Sequence, residues 1–151
     1  MTKTLNTTAN LAIIFFVIVS IISCARSKTI DVNLGIIDKD LKVNCNLNRI
    51  YTRNVDELTK RIYPRVDKLT YVYAKIEIIN YSNLPTKYNI GRYYLSYNNK
   101  ISSGIYIDSV ANYLIVESIL KPNEKITKSV YWVFQEALNP DDLKNIKFIA
   151  R

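Results

Sequence analysis

Beyond residue 28 the chain places apolar side chains at every second position through most of its length, and that period of two predicts half-buried strands. Ile30, Val32, Leu34 and Ile36 alternate with Thr29, Asp31, Asn33 and Gly35. Asp38, Lys39 and Asp40 read as a turn, after which Leu41, Val43, Cys45 and Leu47 alternate with Lys42, Asn44, Asn46 and Asn48. The strongest strand runs from Leu69 to Ser82. It carries Val72, Ala74, Ile76 and Ile78 on one face and Tyr71, Tyr73, Lys75, Glu77 and Ile79 on the other, and Asn83, Leu84 and Pro85 end it. Tyr93, Leu95 and Tyr97 mark another strand ahead of a turn at Asn98, Asn99 and Lys100. Short strands are predicted at Ile105 to Ile107 and at Tyr113 to Val116, followed by a turn at Lys121 to Glu124. Val130, Trp132 and Phe134 then point one way, Tyr131 and Val133 the other, and Ile146, Phe148 and Ala150 suggest a closing strand.

Two stretches break the pattern. In 52–67, Asn54 followed by Glu57 resembles a capping box, Leu58 and Ile62 lie four apart and Pro64 closes the run, so a short helix and a long loop both fit. In Asn139-Pro140-Asp141-Asp142, Asn suits an N-cap, Pro the first helical position and Asp the first turn, which accounts for the paired carboxylates without acid–base chemistry. Seven or eight short strands with frequent turns, and no helix long enough for a parallel crossover, predict an all-β, two-sheet sandwich.

The first 23 residues differ in kind. Met1 to Asn10 is polar, and Leu11 to Ile22 is an apolar run interrupted only by Ser20. As a helix it would reach about 18 Å, well short of a hydrocarbon core of about 30 Å, but it suits the central region of a secretory signal, here a signal helix. The run ends in Ile21-Ile22-Ser23-Cys24, which resembles the lipobox of bacterial lipoproteins: aliphatic, tolerant, small, Cys. The resemblance implies diacylglyceryl transfer to the Cys24 thiol, cleavage after Ser23, and a mature chain held in a membrane by acyl chains such as palmitate. The expected organisation is a signal peptide over 1–23, a tether over 24–28 and a β-sandwich over 29–151. Ala25 is not the Asp that retains such proteins in an inner membrane. The implied location is therefore the outer membrane, facing the periplasm, in a two-membrane cell, or the outer face of the cell membrane otherwise.

The stretches YVYAKIEIINYSN, LKPNEKITKSVYWVF and NPDDLKNIKFIA resemble small immunoglobulin-like lipoprotein domains of bacteria over about residues 69–148. That resemblance implies an immunoglobulin-like sandwich and transfers no catalytic residue. Asn123 stands where Gly is usual in the family's turn. Asn80-Tyr81-Ser82 matches a glycosylation sequon, which means little in a bacterial lipoprotein.

The 21 Lys and Arg against 13 Asp and Glu give a net charge of +8. No block of five like charges occurs, Lys, Asn, Ile and Tyr share A/T-rich codons, and export argues against nucleic acid as a partner. With three Gly there is no phosphate loop, and with no His the commonest general base and metal ligand are missing, so no cofactor or metal is expected. Acidic residues are scattered, without a visible pair of the roughly 5–10 Å separation a glycosidase needs. Cys45, beside Leu41, Val43 and Leu47 on one face, reads as an inert core thiol, and Trp132 as core. The candidate binding surface is the polar-side face of 87–99: Arg92, Tyr94, Ser96 and Asn98, since Tyr beside Arg suits protein or glycan contacts. The expected activity is non-catalytic: a membrane-anchored interaction module with an envelope or secreted protein partner. The alternatives are a glycan or small-ligand carrier, or an inhibitor or immunity protein against a secreted toxin or cell-wall enzyme.

Overall fold

The structure is a computed structural model and describes residues 27–62, 64–107 and 117–151. The signal segment, Cys24 and the strand expected at Tyr113 to Val116 lie outside the described residues.

The alternating segments pair as antiparallel strands. β1 (Lys28–Asp38), β2 (Leu41–Asn54), β3 (Lys68–Asn80), β9 (Lys125–Phe134) and β7 (Tyr106–Ile107) form a five-stranded sheet in the order β1-β2-β3-β9-β7. β10 (Lys147–Ala150), β5 (Tyr93–Tyr97) and β6 (Lys100–Ile101) form a second sheet, and β4 (Thr86–Asn89) pairs with β8 (Glu117–Leu120) in a third. The protein is therefore all-β, with antiparallel sheets around one core, compatible with a β-sandwich. β4, β6 and β8 were not anticipated. They are two to four residues long, too short for alternation to show.

The inner face of the large sheet holds the residues whose parity marked them: Val43, Cys45 and Leu47 of β2, Val72, Ala74, Ile76 and Ile78 of β3, and Val130, Trp132 and Phe134 of β9, all buried. Tyr93, Leu95 and Phe148 from the second sheet, and Tyr88 and Leu120 from the third, close the core from the other side. Trp132 joins the layers: its Nε1–H donates to the carbonyl of Tyr93 at 3.1 Å, and its ring meets Phe148 edge-on.

The turns agree with their residues. Lys39, Asn98, Asn99 and Asn123 have positive φ, a left-handed conformation that Asn tolerates better than most residues. Pro140–Asn145 is a 3₁₀ segment after Asn139, whose N–H donates to Asp142 Oδ2 at 2.7 Å, while Lys144 pairs with Asp141. Two details in 52–67 differ from expectation. β2 runs on to Asn54, paired with Lys68, so Asn54 does not cap. The helix that follows, α1 (Glu57–Ile62), is capped two residues later by Asp56, whose Oδ1 accepts from the Thr59 N–H at 2.7 Å. That hydrogen bond comes first among the causes holding the Asp56 carboxyl below its ordinary value.

Cys45 is buried, and burial pushes its thiol up from 9.0 to about 12. The folded state therefore favours the protonated thiol. This contribution is fully present below pH 9 and is lost as pH rises from 9 toward 12. An aromatic disulfide reagent at neutral pH is expected to leave Cys45 untouched in the native protein and to modify it once denaturant is added. Rapid modification without denaturant would contradict the burial.

Candidate functional site

The outer face of the five-stranded sheet carries the most concentrated binding chemistry among the described residues. It arises from a break in the alternation of β2. The register against β3 shifts between Leu47 and Arg49, a β-bulge that leaves Asn48 without a partner across that ladder. Before the bulge the odd-numbered residues of β2 face the core. After it Ile50 is buried instead, and Arg49, Tyr51 and Arg53 turn outward to meet Tyr73, Tyr71 and Leu69 of β3.

Register builds two rows. In one, Arg49 lies opposite Tyr73, Tyr73 opposite Tyr131 of β9, and Tyr131 opposite Tyr106 of β7. In the next, Tyr51 lies opposite Tyr71 and Tyr71 opposite Val133. At a strand spacing of about 4.8 Å the first row crosses four strands in roughly 14 Å. The rings touch throughout: Tyr51–Tyr71 at 5.8 Å, Tyr71–Tyr131 at 6.1 Å, Tyr73–Tyr131 at 5.3 Å, and Tyr106 stacked on Tyr131 at 5.0 Å and 14°. Arg49 sits 3.9 Å above the centroid of Tyr73 and Arg53 5.3 Å from that of Tyr71, within cation–π range. Tyr106 is exposed and the other four rings are half-buried.

One edge of this surface falls into a cleft of about 380 Å³ bounded by Arg53, Tyr71, Tyr106 and Tyr131 and by Thr59 and Ile62 of α1. Arg53 approaches Asp56 at 3.7 Å, and its buried Nε has no hydrogen-bond partner. Farther along the same face the chemistry changes to amides and charges: Asn46 donates to Asp31 and Asn33, and Asn44 and Lys125 to Glu77. Those bonds lower the Glu77 carboxyl, the Asn44 contact most.

Of the four residues expected to bind, two lie on β5 of the second sheet and two in the turns that flank it. Tyr94 and Ser96 do share the outer side of β5, with Tyr93 and Leu95 buried behind them. Arg92 ends the 3₁₀ turn before the strand. It donates from Nε to the Arg151 carbonyl at 2.8 Å and pairs at 3.4 Å with Asp38. Asp38, 11% exposed, also accepts from the Tyr93 hydroxyl at 3.3 Å. Burial first, and then Asp38, raises the Tyr93 phenol. Arg92 is thus engaged in fastening β5 to β1. Tyr94 lies 5.8 Å from the Arg151 guanidinium, and Asn98 lies in the β5–β6 turn. Among the described residues no cluster of three or more His, Cys, Asp or Glu could hold a metal, and no helix is long and apolar enough to cross a membrane.

No family model matches the sequence, and no curated protein matches it. Among solved structures, the crystal structure of a functionally unknown protein from Listeria monocytogenes EGD-e is similar to this chain, with a TM-score of 0.50, 14% identity, and coverage of 83% of this chain and 74% of that one. A likeness at that identity concerns the fold alone.

Proposed function

We propose that the protein is a lipoprotein, acylated at Cys24, whose immunoglobulin-like sandwich is a non-catalytic binding module of the cell envelope, and that the tyrosine–arginine face of the large sheet receives a protein partner. The observation that carries the reading is the pair of rows joining Arg49, Tyr73, Tyr131 and Tyr106 to Tyr51 and Tyr71. Tyrosine and arginine are, with tryptophan, the residues enriched where binding energy concentrates at protein interfaces. Here neighbours hold the rings in place, so binding costs little side-chain entropy. A protein fits better than a glycan because sugars stack on open ring faces. Arg49 already covers one face of Tyr73, and Tyr106 and Tyr131 cover each other. Hydroxyls and ring edges remain to be met. The immunoglobulin-like assignment draws on the antiparallel layers and on Trp132 buried between them.

The test is photo-crosslinking in producing cells, with a benzophenone amino acid at Tyr106 or at Tyr94. A discrete protein adduct is expected from position 106 and not from 94, and Arg49→Glu is expected to reduce it severalfold without changing the amount of folded protein. A Cys24→Ser chain is expected in the soluble fraction. Adducts from position 94 alone, or a membrane-bound Cys24→Ser protein without acyl label, would overturn the respective halves of the reading.

A further inference from the structure

We infer that α1 and the basic loop after it dock on the anionic surface of the membrane that holds the anchor, so that the domain stands on this end with its strands rising away from the lipid. This inference rests on acylation at Cys24.

Three residues, Ala25 to Ser27, separate Cys24 from Lys28, so an extended chain carries Lys28 at most about 14 Å from the acylated residue. Lys28 opens β1 opposite Ile50, and β2 continues only four residues farther, to Asn54, before α1. The end of the sheet that bears α1 is therefore the end the tether holds against the bilayer. The other end of β1 lies about 30 Å away along the strand.

The surface at that end suits an interface. Leu58 and Ile62, one helical turn apart, are 71% and 68% exposed, and no residue of α1 is buried. Ile62 borders the cleft, but no described residue buries either side chain of this aliphatic pair. Around it stand Lys60, Arg61, Arg65 and Lys68, all exposed. Lys60 approaches Asp67 at 3.7 Å, and Arg53 approaches Asp56. Arg61, Arg65 and Lys68 form no ion pair among the described residues. Aliphatic side chains ringed by free cations are what an anionic lipid surface accepts: the apolar groups enter the headgroup boundary and the cations meet phosphates. The acidic residues here, Asp56, Glu57 and Asp67, are fewer than the basic ones, and two of them are paired. The orientation has a consequence for the partner. The tyrosine rows sit on the α1 half of the sheet, so a protein that binds them must itself approach close to the membrane.

The experiment uses the full chain purified from membranes of producing cells and reconstituted in phosphatidylcholine vesicles with and without phosphatidylglycerol. An environment-sensitive fluorophore is attached to one added thiol, Leu58→Cys or Ile37→Cys. Ile37 is a matched control, 74% exposed but at the far end of β1. Mass spectrometry of the same sample reports the state of Cys24. The expected result is an acylated Cys24, with the label at 58 blue-shifted and quenched by nitroxide lipids severalfold more than the label at 37, and less so when phosphatidylglycerol is omitted. If Cys24 is acylated and both labels report water, or position 37 is the more quenched, docking is overturned and the anchor stands. If Cys24 is unmodified, the anchor reading fails and takes this orientation with it.

Discussion

Asn80→Ala is expected to lower the stability of the folded domain by about 3–5 kcal/mol, a fall in Tm of roughly 10–20 °C. Of the fully buried polar side chains among the described residues, Asn80 makes more hydrogen bonds than Thr70. Asn80 ends β3, is fully buried, and donates from Nδ2 to the carbonyls of Leu84, Leu120 and Lys121 at 2.8, 3.0 and 3.2 Å. Its Oδ1 accepts from the Ser82 N–H and hydroxyl at 3.0 and 2.8 Å. Its backbone pairs with Glu124 and Asn123. One amide thus ties the end of β3 to the corner before β4 and to the turn between β8 and β9. Truncation removes the donor to the Leu120 carbonyl at the buried bond and the acceptor of the Ser82 N–H, and each buried unsatisfied group costs about 1–3 kcal/mol.

Asn80→Asp separates lost volume from lost donors. The shape is kept, but an ionised carboxylate would face three carbonyl oxygens. Its proton would be held more tightly in the folded state than in the unfolded one, where a free aspartate titrates near 3.9. Stability relative to the natural protein is then highest below about 3.9 and falls as pH rises from there through the raised folded-state value, because the folded state binds more protons. Urea melts of the two proteins at several pH values check this. A pH-independent difference, or one below about 1 kcal/mol for Asn80→Ala, would mean the amide does not hold that corner.

The role of Asn80 was not legible as such. In the sequence it reads as the first residue of a sequon and as the end of a strand, since its partners lie four, forty and forty-one residues away. The same limit governed the tyrosine face. Alternation alone sorted Tyr71 and Tyr73 from the core side of β3, and Tyr131 from that of β9. It could not say that β9 lies beside β3, or that β7 follows it, because parity carries no information about strand order. In β2 the alternation read from the sequence ends at Leu47 and Asn48, and it could not be carried on, since the odd-numbered face would send Arg49, Tyr51 and Arg53 into the core. The bulge at Asn48 has no marker in composition, although two Arg on the apolar parity were a sign of conflict. By contrast the buried positions of β2, β3, β5 and β9 were readable, because burial on one face imposes the period directly. The four residues around β5 were chosen by the same parity, which separates faces but cannot show that Arg92 is committed to Asp38 and Arg151.

The second large effect is expected at Trp132. Trp132→Ala should cost about 3–5 kcal/mol, the range for removing a buried aromatic and leaving a cavity. Trp132→Phe should cost about 2 kcal/mol. The indole is fully buried in β9, contacts Phe148 at 6.1 Å and 77°, and donates to the Tyr93 carbonyl. Tyr93 in turn packs on Phe148 at 5.6 Å. Phenylalanine restores most of the apolar contact but leaves that carbonyl unpaired, so the difference between the two variants measures packing between the sheets and the remainder measures the bond. Since Trp132 is the sole tryptophan, its emission reports unfolding in the natural protein, and circular dichroism follows the variants. The effect should reach the outer face as well. Trp132 lies between Tyr131 and Val133, and a loosened β9 shifts the ring that joins Tyr73 to Tyr106. Adduct formation from position 106 should therefore fall in Trp132→Phe even where the protein remains folded. Unchanged crosslinking in that variant would separate the interface from the core behind it.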